Sequence, residues 1–172
     1  ATYTLGDADV GAQISVQVSY TDLQGNPEGP LTSAQTAAVL NVNDAPVGVP
    51  TITGTIAEDQ LLTADPTGIS DADGLGAFSY QWYRDGVAIG GATASSYTLD
   101  DADVGAQPRV QVSYTAGQGT SESITSAQTG AVANVHDLPV GLPSITGLAQ
   151  EDQVLTADTS GISDADGLGA FG

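Results

Sequence analysis

Carboxylates are the one kind of reactive side chain this sequence holds in number, and they recur in short fixed patterns. Asp-x-Asp pairs stand at Asp7 and Asp9, Asp71 and Asp73, Asp101 and Asp103, and Asp164 and Asp166. Glu-Asp pairs stand at Glu58–Asp59 and Glu151–Asp152, and further acids follow Asn43 (Asp44) and His136 (Asp137). Carboxylates this closely spaced can chelate a hard cation through oxygen, or serve as acid and base on a glycosidic bond. Glycoside hydrolysis needs two carboxylates at a defined separation across a cleft. Repeated D-x-D and E-D pairs in loops suit chelation better. With no cysteine in the chain, a thiol nucleophile, a disulfide and a cysteine–zinc site are excluded. There is no G-x-S-x-G motif or phosphate-cradling loop, and His136 is the sole possible imidazole base. The expectation is that the chain is not an enzyme.

The 21 acidic residues face only Arg84 and Arg109, for a formal charge of −19. Phosphate contacts on nucleic acid need clustered cations, so that partner class is out. No apolar run approaches the roughly 20 residues of a membrane-spanning helix, so membrane insertion is not expected. An apolar fraction of 40% suffices for a folded core.

The elements that must position the acids are repeated. Leu5–Tyr20 (LGDADVGAQISVQVSY) returns 94 residues later as Leu99–Tyr114, and Asn41–Phe78 returns 93 residues later as Asn134–Phe171. A period of 93–94 residues is a domain, not a solenoid coil. One residue is expected to be lost in the loop after Tyr20 and Tyr114. The expected organisation is residues 1–44 as the C-terminal half of a repeat, 45–135 as one complete copy, and 136–172 as the N-terminal half of the next. On that reading the chain is a window on a longer tandem array.

Within the complete copy, strand signals dominate. Thr51, Thr53 and Thr55 alternate along an outward edge face, and Asp85-Gly86 marks a tight hairpin. Val110, Val112 and Tyr114 share one face of Arg109–Thr115. Thr125–Val135 reads as the last strand. Seven short strands with Gly/Pro/Asp punctuation predict an all-β fold, a tandem immunoglobulin-like β-sandwich with Trp82 in the core. The prolines after Asn43-Asp44 and His136-Asp137 mark stiff, extended linkers.

The V-N-D-A-P linker, the E-D turn, S-D-A-D-G-L-G, Y-Q-W-Y-R-D-G and Y-T-L-x-D-A-D-V-G, in that order, resemble the immunoglobulin-like or cadherin-like repeats of giant bacterial RTX-type surface adhesins. The resemblance covers the whole chain, although the glycine-rich nonapeptide that names the RTX class is absent from it. It implies an extracellular, bacterial cell-surface location and Ca²⁺ between neighbouring repeats.

Immunoglobulin-like topology sends the loops carrying Glu58, Asp59, Asp101 and Asp103 to one end of the copy. There they meet linker Asp137 and then Asp164 and Asp166 of the following copy. At the first junction the same roles fall to Asp7, Asp9, Asn43, Asp44, Asp71 and Asp73. Calcium suits such an oxygen-only set; Mg²⁺ prefers its own water, and zinc finds only His136. Several simpler roles stay open. Asp71-Ala72-Asp73-Gly74 is a ligand loop or a plain turn, one of Asp101 and Asp103 ties its own turn, and Asp59 is a ligand or only caps its turn. His136, in place of Asn43, removes a side-chain oxygen from the second junction. Trp82, Tyr83 and Tyr97 read as core or sheet-surface aromatics, with a sugar platform as the alternative.

The expected function is a calcium-stiffened structural or adhesive spacer whose partners are neighbouring repeats of the same array. The alternatives are a self-assembling fibre subunit, with half-copies completing one another head to tail in a homopolymeric filament, and a module that binds a glycan or host protein.

Overall fold

Alternation of apolar and polar side chains, β-branched content and glycine-bearing turns favour extended chain throughout. The computed structural model, which describes residues 1–172, accordingly has eleven strands and no α-helix. They are β1 (Gln17–Thr21), β2 (Pro27–Thr32), β3 (Thr51–Thr53), β4 (Leu61–Asp65), β5 (Ser79–Arg84), β6 (Val87–Ala88), β7 (Ser96–Thr98), β8 (Pro108–Thr115), β9 (Ser121–Thr125), β10 (Ser144–Thr146) and β11 (Thr156–Asp158). Single 3₁₀ turns occupy Asp7–Asp9 and Asp101–Asp103.

Strands β3 to β9 form two antiparallel sheets in the orders β3-β4-β7 and β6-β5-β8-β9. Leu62 and Ala64 of the first sheet pack with Trp82 and Val110 of the second, closed by Leu99 and Val132. A second cluster joins Ile69, Val112, Tyr114 and Ala116. Strand β8 shows why. Val110, Val112 and Tyr114 are buried at alternate positions, while Arg109, Gln111 and Ser113 take the other face. Each fully buried valine is worth about 1.5–3 kcal/mol. Trp82 is fully buried and its indole N–H donates to the Ala94 carbonyl at 3.0 Å, so burial costs it no hydrogen bond. At the β5–β6 hairpin, Asp85 (φ 45°) and Gly86 (φ 88°) both take left-handed backbone, as a two-residue turn of matching twist requires.

Two sequence expectations are corrected. The last strand begins earlier than Thr125: β9 spans Ser121–Thr125, and Ala127–Val135 leaves the regular ladder. Ser126 causes the departure. Its hydroxyl accepts the Val110 N–H at 3.0 Å and donates to Ala127 O at 2.8 Å, so a side chain takes over from the strand backbone. Single parallel bridges then tie Val132 to Val104 and Ala133 to Ala57, which brings the outgoing chain to the acidic turns.

The odd residue between the repeats does not lie in the turn either. Tyr20 faces Glu28 and Val18 faces Leu31, so Gly29 and Pro30 together oppose Ser19 in a bulge of β2. The matching stretch of β9 is regular, with Ser123 alone opposite Ser113. Gly29 permits the bulge: its φ is +99°, and a Cβ there would lie 2.8 Å from the Val18 carbonyl oxygen.

Candidate metal centre at the linker

Glu58 is carried by the turn between β3 and β4. The Glu58 N–H donates to Ala133 O at 3.0 Å and the Asp59 N–H to Leu99 O at 3.1 Å, fixing the turn against both the outgoing chain and the end of the β7 segment. Asp59 takes left-handed backbone at φ 61°. The Glu58 side chain is only 1% exposed, and its Oε2 accepts the Val135 N–H of the linker at 3.1 Å. Asp101 opens the 3₁₀ turn that follows β7. Asp137 arrives from the linker, its N–H donating to Asp166 Oδ2 at 2.9 Å. Thus three separate segments bring Glu58, Asp101 and Asp137 together, with one carboxylate oxygen from each lying within 4.8 Å of the others.

The carboxylates perturb one another across the seam. Glu58 is raised above the usual carboxylate range, chiefly by sharing a hydrogen bond with Asp101, with the charges of Asp101 and Asp137 adding to it. Asp137 is raised first by loss of solvent and then by Asp101, Asp166, Asp59 and Asp164. At the first junction Asp44 is raised chiefly by Asp7, then by loss of solvent, Asp73 and Asp71. Asp7 and Asp44 therefore repeat the Asp101–Asp137 pairing.

Asp103 and Asp9 stand apart from the seam. Asp103 is fully buried, and its carboxylate accepts from Arg84 Nε at 2.6 Å, the Tyr97 hydroxyl at 2.8 Å and the Asp100 N–H at 3.0 Å. Burial works to raise its pKa, but these donors outweigh it and hold the group below the ordinary range. The Tyr97 hydroxyl is pushed up to about 12 by burial and by that carboxylate. Asp9 repeats the arrangement, accepting from Tyr3 and from the Gly6 N–H. Of each Asp-x-Asp pair in these 3₁₀ turns, the first residue faces the linker and the second holds the turn.

The Asp-x-Asp-Gly loops are hydrogen-bonded turns. The Asp73 N–H donates to Asp71 Oδ1 at 2.8 Å, and the Asp166 N–H to Asp164 Oδ1 at 3.0 Å. Asp71 also accepts from the Tyr114 hydroxyl. Asp73 and Asp166 grip the linkers: Asp73 Oδ2 accepts the Asp44 N–H at 2.8 Å, and Asp166 accepts Asn134 Nδ2 at 2.7 Å as well as Asp137 N–H. The Asn134 bond is the largest cause of the lowered Asp166 pKa. His136 Nδ1 lies 3.1 Å from Asp166 Oδ2. Asn43 donates to Glu122 Oε1 at 2.8 Å.

Sequence reasoning did not assign Arg84, Tyr97, Asn134, Glu122 or Tyr114 to the site. Arg84 had a signal: it is one of two cations, spaced by two from the core Trp82 and so on the same strand face.

The three carboxylate oxygens could hold a metal ion. Oxygens that share a hard cation at about 2.3–2.6 Å each stand up to about 5 Å apart, and the three oxygens lie within 4.8 Å of one another. No helix is long and apolar enough to cross a membrane. Compared with family models, curated proteins and solved structures, the chain matches none.

Proposed function

We propose that the chain is a stretch of tandem immunoglobulin-like repeats that act as an extracellular bacterial surface spacer, stiffened by calcium at the junctions. The observation that carries this reading is the convergence of Glu58, Asp101 and Asp137 from two turns and a linker. Three uncompensated carboxylates repel, and a divalent cation between them turns that repulsion into a cross-link. Asp59, Asp164 and Asp166 contribute further negative potential at the same place. The linker is also held without a metal: Glu58 takes the Val135 N–H, and Asp166 takes the Asp137 N–H two residues on. Calcium then adds to a junction already set in direction. Weak extracellular modules bind at about 10⁻⁴–10⁻³ M, so the junctions of such a spacer are less stiff at low internal calcium and stiffen further outside the cell.

Calorimetric titration of the chain with CaCl₂ tests this. Saturable binding is expected, weakened at least tenfold by Asp101→Asn. Absence of binding at several millimolar, or equal binding by the variant, contradicts the proposal.

A further inference from the structure

Of the two arginines, Arg84 is held by Asp100 and Asp103. Arg109 pairs with no carboxylate, although the chain has 21 acidic residues. Its Nε is covered by protein and has no hydrogen-bond partner, the one buried side-chain nitrogen or oxygen so placed. Native folds leave few such donors unpaired. Strand pairing explains where this side chain stands. The inward residues of β8, Val110 and Val112, belong to the core, so Arg109 takes the outer face of the sheet. There it lies opposite Tyr83 of β5, with its guanidinium carbon 5.5 Å from the ring centroid. That contact seats the cation on an aromatic face and leaves its charge uncancelled. The hairpin acid Asp85 is tied to the Gln107 N–H at 2.8 Å. Farther along the same face, Gln111 stands beside Thr125 and Ser113 beside Ser123. The Tyr83 hydroxyl donates to Gln111 Oε1 at 3.1 Å, which leaves the Gln111 amide nitrogen as a donor. The preceding copy has Ser15 where this one has Arg109, so the cation is not part of the repeated pattern.

We infer that the outer face of the β6-β5-β8-β9 sheet is a binding site for a carboxylated sugar. Arg109 takes the carboxylate, and Gln111, Thr125 and Ser113 take neighbouring hydroxyls. A planar guanidinium offers a fork that matches a carboxylate. With Nε covered, the two terminal nitrogens supply that fork. The class of ligand follows from charge. At −19 the chain repels polyanions, including acidic polypeptides and second copies of itself. A ligand with one carboxylate among neutral hydroxyls is repelled least, and it matches a face of uncharged amides and hydroxyls. From Arg109 to Ser113 the strand rises about 14 Å, which gives room for more than one sugar ring. Nothing in this recognition depends on calcium.

The test titrates the isotopically labelled 172-residue chain, in chelator, with sialyllactose and with glucuronic acid. It follows the NMR signals of Tyr83, Arg109 and Gln111. Both acids are expected to give saturable shifts there, and neutral lactose and acetate to bind at least tenfold more weakly. Arg109→Gln should weaken binding by about tenfold or more, the loss of a charge-assisted pair. Gln111→Ala, with the cation in place, should weaken it by about threefold. Unchanged Trp82 fluorescence shows that both variants are folded. Chelator keeps this readout apart from the linker, so failure here leaves the spacer reading untouched. Four results overturn the inference. They are no saturable shift with either acid, binding of lactose or acetate as tight as that of the acids, equal binding by Arg109→Gln, and tighter binding of a polyglutamate peptide than of the sugars.

Discussion

Replacing Asp103 should damage the fold and spare the cation. Its carboxylate serves three donors at once: Arg84 Nε, the Tyr97 hydroxyl and the Asp100 N–H. In Asp103→Ala, the tyrosine hydroxyl and the backbone N–H lose a buried acceptor, at about 1–3 kcal/mol each. The Arg84 side chain is 30% exposed and keeps Asp100 at 3.0 Å, so it recovers part of its hydration. The total comes to about 4 kcal/mol, inside the roughly 3–5 kcal/mol range for breaking a buried ion pair from one side. For a unit of under 100 residues that lowers the melting temperature by roughly 15–30 °C. Asp103→Asn keeps one oxygen acceptor and should lose about half as much. Trp82 is the only tryptophan and lies in the adjoining core, so its fluorescence in a denaturant titration with chelator reads this unit alone. Asp101→Ala, two residues away on the linker side, should change stability by less than about 0.5 kcal/mol under the same conditions. A loss below about 1 kcal/mol in Asp103→Ala, or equal losses in the two variants, refutes the division of labour within the Asp-x-Asp pair.

Acid should act on the two kinds of carboxylate in opposite directions. Glu58, Asp44 and Asp137 are raised in the folded chain, so their repulsion is present above those folded values and fades as the pH falls through them. Asp103 is lowered, so its stabilisation is present above the unfolded value and is lost as the pH falls through the folded one. Calcium uptake near pH 5 should therefore release more protons than at pH 7.5, measured calorimetrically in buffers of different ionisation heat; equal release rules out the raised seam. Gly48 has φ +89°, and a Cβ there would lie 2.0 Å from the Gly68 carbonyl oxygen. Gly48→Ala should lower unfolding stability by more than about 2 kcal/mol, whereas Gly74→Ala, at φ +87° in open space, should cost about 1–2 kcal/mol. Similar losses at both sites would show that close backbone approach is not the cause.

An immunoglobulin-like arrangement of loops, expected from the sequence, predicts that the acidic turns lie beside the linkers. Glu58, Asp101 and Asp137 do meet there, and the hairpin at Asp85-Gly86 has the expected positive φ angles. Spacing could not tell Asp101 from Asp103. Both sit in one three-residue 3₁₀ turn, and which faces inward depends on Arg84 and Tyr97 from other strands. The end of β9 was misread because Thr125–Val135 has strand-like composition, while one hydroxyl, that of Ser126, redirects the backbone. The bulge at Gly29–Pro30 was hidden for a related reason. Glycine and proline beside a turn read as part of the turn until the pairing of Tyr20 with Glu28 is seen.

The central claim is that calcium bridges and stiffens the junctions, and small-angle X-ray scattering of the chain tests it most directly. With millimolar calcium, the maximum dimension should increase and the interparticle-corrected profile should sharpen toward an elongated particle. Chelator should reverse both changes, and Asp101→Asn should abolish most of the response. Profiles that superimpose with and without calcium would contradict the account.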